Sequence, residues 1–234
     1  MEIAGSYGKN KNSHNALDAY IKEKSIRNVR IIQRVKNEGK GHSVLEGMWR
    51  AKGDLVGYID FGYDIELSVI KRMLKEFEED PTLDAVMPNK HAKESNYHAS
   101  LMRQIFSYGY LFWVIVCTLI IVPDTQTGVK MYRREVVRRV IPRLLIKRFA
   151  FEVEMLAAMK QLGLTRWKYV PVKIKMFNDS SMGTKLIDFF IGPNSIWPFV
   201  NDTMAVGYRM YFKNWYRKVY TEEDMKILNE FQNT

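Results

Sequence analysis

The sequence predicts an α/β fold, a mostly parallel sheet flanked by helices, and three observations carry that expectation. Short β-branched or apolar runs alternate with amphipathic stretches from residue 29 to about residue 88. The links between them are short, and such alternation builds parallel sheets with helices on both faces. A hydrophobic content of 47% beside 26% charged residues belongs to a chain with a core, and 234 residues suffice for one substantial domain.

The elements follow in order. Residues 5–15, rich in Gly, Lys, Asn and Ser, read as a polar loop, and a helix is expected over Ala16–Lys24. Val29–Val35 reads as a buried strand, and the loop Asn37-Glu38-Gly39-Lys40-Gly41 separates it from a helix with Val44, Leu45, Met48 and Trp49 on one face. Leu55–Ile59 is a second strand ending at Asp60. Leu67, Ile70, Met73, Leu74 and Phe77 are spaced for an amphipathic helix, closed by Asp80-Pro81. Leu83–Met87 is a third strand. A long apolar helix then runs to Pro123, followed by a strand at Gly128–Tyr132 and helices at Arg134–Leu145 and Phe151–Leu162. Lys168–Ile174 is a strand whose Pro171 suggests a sheet edge. A last helix is expected over Asn201–Val219.

Charge and special residues narrow the chemistry. The formal net charge of +10 favours anionic partners: nucleic acid, an acidic membrane leaflet or phosphorylated substrates. No nucleic-acid recognition motif supports the first. The single Cys117 excludes a disulfide framework and points to a reducing compartment, hence the cytoplasmic side of a membrane. His14, His42, His91 and His98 lack zinc-ligand spacing. The apolar run Leu111–Val122 is shorter than the roughly 20 residues a spanning helix needs, which favours a buried or interfacial helix.

Four stretches carry candidate chemistry. Asp60 and Asp64 follow a strand, where acids hold a metal or a ribose in open α/β sheets, or merely cap the next helix. Lys40 between two glycines offers a cation and free amides to an anion, or sits in a surface turn. In Pro123-Asp124-Thr125-Gln126-Thr127-Gly128, small hydrogen-bonding side chains line a loop, with Gly128 free for an unusual dihedral; structural turns use the same residues. Arg133-Arg134 suits phosphate, or a solvated helix start. On the last helix, Met204, Tyr208, Tyr211, Phe212, Trp215 and Val219 share a face, and Arg209, Lys213 and Arg217 share another. That pattern suits a helix lying in lipid headgroups, or one packed on the domain with its basic face in water.

Together these stretches resemble the family-2 glycosyltransferases of the GT-A fold, and among them the polyprenyl-phosphate branch of dolichol-phosphate mannosyltransferase-like enzymes. The resemblance runs from about Asn37 to Ile174. It rests on the glycine-lysine loop, on Ala51-Lys52-Gly53-Asp54 leading a strand to Asp60, and on the block Asp124–Arg134. It continues through Phe149-Ala150-Phe151-Glu152-Val153-Glu154 to Val170-Pro171-Val172. It implies transfer of a sugar from a nucleotide-diphosphate sugar to a polyprenyl phosphate at a membrane surface, with Mg²⁺ or Mn²⁺. Asp60 would hold metal and donor, with Lys40 and Asp64 also on the donor. Asp124 and Gln126 would serve the reacting centre. Glu152 or Glu154 matches the family's acidic position, and Glu154 is taken as the catalytic one. Arg103, Arg133 and Arg134 would meet phosphate.

Two departures from the family stand out. Asp60-Phe61-Gly62 lacks the second carboxylate of a D-x-D motif, and the chain starts near the family's second strand, so an N-terminally truncated sheet is expected. These departures motivate the alternative, a catalytically degenerate or truncated glycosyltransferase-like protein that binds a membrane or a partner. Residues 1–185 form the expected catalytic domain, and residues 186–234 a membrane-interfacial helical segment, with contacts to the membrane through 108–122 and 201–219.

Overall fold

The structure is a computed structural model and describes residues 3–4, 11–25, 29, 31–32, 38–60, 65–95, 101–174 and 197–218. In chain order its elements are β1 (Ile3–Ala4), α1 (Lys11–Glu23), β2 (Ile31–Ile32), α2 (Lys40–Arg50), β3 (Leu55–Ile59) and α3 (Ser68–Glu79). They continue with β4 (Ala85–Asn89), α4 (Leu101–Thr118), β5 (Val129–Arg133), α5 (Arg134–Val140), a 3₁₀ turn (Ile141–Arg143) and α6 (Phe151–Gln161). The last are β6 (Trp167–Pro171), α7 (Trp197–Tyr211) and a second 3₁₀ turn (Trp215–Arg217).

The main sheet has the order β3-β5-β4-β6. β3, β4 and β6 run the same way, as the alternating pattern predicts. β5 is inserted antiparallel between β3 and β4, so the sheet is mixed. β6 ends the sheet, where Pro171 is tolerated. A separate two-stranded parallel pair joins Ile3 to Ile31 and Ala4 to Ile32. Within the strand expected over Val29–Val35 the described residues Ile31–Ile32 are paired, and residues 30 and 33–37 lie outside the described residues.

Strand alternation divides the core into two. Leu55, Ile59, Val86, Val129, Met131 and Val170 face α3, whose Val69, Met73 and Phe77 complete one cluster. Val56, Tyr58, Ala85, Met87 and Tyr132 face the other way, into a larger cluster with α2, α5, α6, α4 and α7. Helix α6 lies at its centre, and residues 151–159 are all buried.

The C-terminal helix differs from expectation. It begins at Trp197 and ends at Tyr211, and three residues on Asn214 takes a left-handed conformation (φ 46°) that turns the chain into the second 3₁₀ turn. The predicted stripe therefore does not continue to Val219, which lies outside the described residues. Val206, Met210 and Tyr216 join the main core, so α7 is packed against α6 and α4. The expected boundary at 185/186 lies outside the described residues. Tyr110 donates to Thr203 Oγ1 (3.0 Å), and Tyr211 donates to the Thr118 carbonyl (2.6 Å), fixing α4 to α7.

Gly207 marks the closest approach of these helices: a Cβ there would sit 2.3 Å from the Cys117 carbonyl oxygen. Gly207→Val is expected to destabilise the fold by about 1–3 kcal/mol, because the helices must separate. Urea unfolding measures this, and an unchanged midpoint would show that the crossing is loose.

Candidate active site

The site is built where strand and helix ends meet. Asp60 follows β3, and its backbone N–H donates to the Gly128 carbonyl (2.6 Å) just ahead of β5. The N-termini of α2 and α6 arrive at the same place, bringing Lys40 and Glu152. Lys40 Nζ lies 2.7 Å from Asp60 Oδ2 and 3.3 Å from Glu152 Oε1. Burial alone would lower the Lys40 pKa, but Glu152 and Asp60 outweigh it and hold the ammonium above its usual value.

Behind this pair stands Lys130, which the sequence reading did not single out. In the β3–β5 register Tyr58 lies opposite Lys130, so both side chains point toward α6. The Lys130 ammonium is wholly buried and pairs with Glu152. It also donates to Tyr58 Oη (3.2 Å) and to the carbonyls of Thr125 and Thr127 (3.0 Å each). Burial, then the nearby Glu152 carboxylate, drives the Tyr58 phenol pKa well above its ordinary value. A lysine inside a short strand between Val129 and Met131 is the signal that could have revealed it.

The Asp124–Gly128 loop is fastened to this centre. Asp124 Oδ1 accepts from the Gln126 backbone N–H (3.0 Å) and from Lys90 Nζ (3.3 Å), and Oδ2 accepts from the Thr127 hydroxyl. The carboxylate is buried and shapes the loop as an Asx turn. Gln126 Nε2 reaches Thr125 Oγ1 at 3.5 Å. Gly128 is required for close approach and not for a special dihedral: a Cβ there would lie 1.9 Å from Asp60 Oδ2.

The glycines around Lys40 also serve packing. A Cβ at Gly39 would meet the Lys147 carbonyl oxygen at 2.6 Å, and one at Gly41 the Arg148 carbonyl oxygen at 2.5 Å. Gly39 has φ +103°, and the His42 N–H donates to the Lys147 carbonyl (2.9 Å). Residues 144–150 thus press directly on the start of α2 and hold Lys40 in place. The contact uses the His42 N–H, and the Lys147 and Arg148 carbonyls fill the space beside the two glycines.

Several expected site residues are not brought here. Glu154 is two positions from Glu152, on the opposite face of α6. Its carboxylate accepts from the N–H groups of Leu145 (2.9 Å) and Ile146 (2.7 Å) and from Tyr216 Oη (2.9 Å). Arg209 pairs with it at 2.8 Å. Burial pushes the Glu154 pKa up, with Arg209 and these donors opposing. Arg133 and Arg134 sit at the far end of the sheet. Arg133 pairs with Leu55, five residues before Asp60, which places it roughly 17 Å along the strand from Asp60. Arg133 Nε donates to the Leu83 carbonyl (3.0 Å), and Arg134 binds the Lys52 carbonyl (2.7 Å) and Asp54 (3.0 Å). Arg103 lies in the first turn of α4, its side chain outside the described residues, as is all of Asp64.

Among the described residues no group of three or more His, Cys, Asp or Glu side chains could hold a metal ion. Mg²⁺ and Mn²⁺, however, commonly take one or two carboxylates and complete their shell with water and substrate phosphates. The partly exposed Asp60 carboxylate fits a metal of that kind, one that arrives with a diphosphate.

Two substitutions test this construction. Lys130→Ala leaves Glu152 buried without its closest partner and is expected to cost about 3–5 kcal/mol in chemical denaturation. The paired change Lys130→Met with Glu152→Leu should recover most of that loss, and no recovery would show that the pair is not a coupled unit. Gly128→Ala should displace Asp60 and destabilise the fold by about 1–3 kcal/mol in the same assay.

Comparison with known proteins places this geometry. Residues 8–141, more than half of the chain, match the profile of Glycosyl transferase family 2. The chain is 28% identical over 151 residues to dolichyl-phosphate beta-glucosyltransferase of Dictyostelium discoideum, covering 62% of this chain and 46% of that protein. It is 27% identical over 169 residues to dolichyl-phosphate beta-glucosyltransferase of Homo sapiens, covering 69% and 50%. The chain spans about half the length of the curated relatives it matches. Among solved structures it resembles glucosyl-3-phosphoglycerate synthase from Mycobacterium tuberculosis in complex with Mn²⁺, UDP-glucose and phosphoglyceric acid. The TM-score is 0.57 at 13% identity, over 87% of this chain and 68% of that one. A second complex of that enzyme, with Mn²⁺, UDP and phosphoglyceric acid, gives a TM-score of 0.58 at 14% identity, over 88% and 66%. Likeness at that identity shows the fold, a GT-A-type mixed sheet with helices on both faces. With the family profile covering the strands and loops that carry Lys40, Asp60, Asp124 and Lys130, the chain belongs to glycosyl transferase family 2.

Proposed function

We propose that this protein transfers a sugar from a nucleotide-diphosphate sugar to a dolichol-type polyprenyl phosphate at a membrane surface. The observation that carries the reading is the meeting of Asp60, Lys40 and the Asp124–Gly128 loop at the carboxyl end of β3, where open α/β sheets bind ligands. The relatives are named as glucosyltransferases, so glucose is the first donor sugar to test.

Asp60 and Lys40 bind the donor's diphosphate end. Asp60 would hold a divalent Mg²⁺ or Mn²⁺, which would supply positive charge to the leaving diphosphate. Asp124 holds the loop through Gln126 and Thr127, and so places the Gln126 side chain, which is only partly buried, beside the reacting sugar. A polyprenyl phosphate acceptor is already ionised near neutral pH, so no strong general base is required. Catalysis then rests on positioning and on charge neutralisation. Lys90 beside Asp124 offers a cation at the acceptor side of the loop.

The membrane part of the reading rests on exposed apolar faces. On α4, Leu101, Ile105, Tyr108, Phe112 and Val116 form one exposed stripe, and on α7 Trp197, Met204, Tyr208, Tyr211 and Phe212 form another. Among the described residues no helix is long and apolar enough to cross a membrane. Two contacting helices with such outer faces suit a bilayer interface. The basic face expected on α7 is altered: Arg209 turns inward to Glu154, and Lys213 lies 5.7 Å from the Tyr208 ring centroid.

The alternative reading, a non-catalytic relative, is favoured by one feature, the sequence Asp60-Phe61-Gly62 with its single carboxylate. Calorimetric titration with UDP-glucose and Mn²⁺ separates the two, since absence of binding favours the alternative. For the catalytic reading, radiolabelled UDP-glucose with dolichyl phosphate in detergent or vesicles should give lipid-extractable label. Asp60→Asn and Asp124→Asn should each lower that transfer by about 100-fold or more. Wild-type rates in both would sink the assignment. Phe112→Glu combined with Phe212→Glu should abolish co-sedimentation with phospholipid vesicles while leaving the unfolding midpoint in place; undiminished sedimentation would remove the membrane face from the account.

A further inference from the structure

Four charges alternate through the site, one from each of four elements: Asp60 after β3, Lys40 on α2, Glu152 on α6 and Lys130 on β5. The two carboxylates are matched by two ammonium groups. Lys130 is fixed by buried hydrogen bonds to the Thr125 and Thr127 carbonyls, whereas Lys40 keeps 24% of its side chain exposed and sits on a flexible stem. The backbone from which Lys40 reaches is pinned by residues 147–148 against Gly39 and Gly41, so its ammonium is delivered to Asp60 by construction.

That arrangement bears on how a divalent cation reaches Asp60. A metal at this carboxylate would stand beside the Lys40 ammonium, and the two repel strongly in a partly buried site. Among the described residues the other carboxylate that Lys40 touches, Glu152, is itself held by Lys130 and 1% exposed, so that side chain offers the metal no second ligand. A diphosphate changes the balance, because its oxygens can take the Lys40 ammonium and also complete the metal shell.

We propose that Lys40 is a displaceable, tethered cation that occupies the Asp60 carboxylate in the donor-free protein, so that divalent metal binds Asp60 only together with a nucleotide diphosphate. The proposal rests on the donor-binding reading given above for its nucleotide half. Its metal half depends only on the contact between Lys40 and Asp60. Lys40 thereby acts as a gate that prevents the metal from loading alone, and then becomes a phosphate ligand once the donor arrives.

Mn²⁺ binding followed by the paramagnetic resonance signal of the free ion tests this without measuring transfer. In the absence of nucleotide, Lys40→Gln is expected to bind Mn²⁺ about tenfold or more tightly than the wild type, and Lys40→Arg to match the wild type. Asp60→Asn added to Lys40→Gln should erase the gain. Addition of UDP should strengthen Mn²⁺ binding in the wild type much more than in Lys40→Gln. Should Lys40→Gln not fold, as judged by near-ultraviolet circular dichroism, Lys40→Met keeps the stem's packing and serves the same comparison. Equal nucleotide-free Mn²⁺ affinities in wild type and neutral variant, including no measurable binding to either, overturn the proposal. If UDP binds neither protein while the neutral variant still gains Mn²⁺, the donor reading fails and the gate at Asp60 stands.

Discussion

The buried pair between Lys130 and Glu152 is the constraint on which the site depends. Neither side chain has access to water, so each needs the other and its hydrogen bonds to offset desolvation. Lys130 also ties down the Thr125 and Thr127 carbonyls, which fixes the loop ahead of β5. Glu152 in turn holds Lys40, and Lys40 holds Asp60. The antiparallel insertion of β5 makes this possible. It brings the Asp124–Gly128 loop to the same end of the sheet as the carboxyl end of β3, which a strand running the other way would not do.

Helix α6 carries two networks on opposite faces. Glu152 belongs to the site, and Glu154, two residues on, anchors Leu145, Ile146, Tyr216 and Arg209. Residues 144–150 lie between them, pressed on the start of α2 by Gly39 and Gly41. Trp215 Nε1 donates to the Arg143 carbonyl (2.9 Å), and Arg143 returns hydrogen bonds to the Tyr216 and Lys218 carbonyls (3.0 Å each). The C-terminal segment is therefore joined through polar contacts to the chain leading into the loop that positions Lys40. The outer aromatic face of α7 and the charged centre are parts of one packed body, since α7 shares the main core with α6.

Much of the fold was legible in the sequence because period-2 and period-3.6 patterns report burial directly. Leu55–Ile59, the helix beginning at Ser68 and the helix beginning at Phe151 stand where their apolar spacing places them. The direction of β5 was not legible, since an antiparallel and a parallel strand of five residues carry the same pattern. The end of α7 was missed because side-chain periodicity continues past Tyr211, whereas the backbone leaves the helix there and turns again at the left-handed Asn214.

The sequence by itself determined the family, through the run from Asp124 to Arg134 and its neighbours, and it singled out Lys40, Asp60, Asp124 and Gln126. Tertiary structure alone decided which of the candidates meet. It put Glu152 rather than Glu154 beside Lys40, because residues two apart on a helix face opposite ways. It sent Arg133 and Arg134 to the far end of the sheet, because the β3–β5 register opposes Arg133 to Leu55. It also brought in Lys130, whose charge is invisible as a site feature until Glu152 is seen to neutralise it. Residue type and spacing encode local faces, whereas ion pairs across 22 or 112 positions exist only once strand order and direction are set.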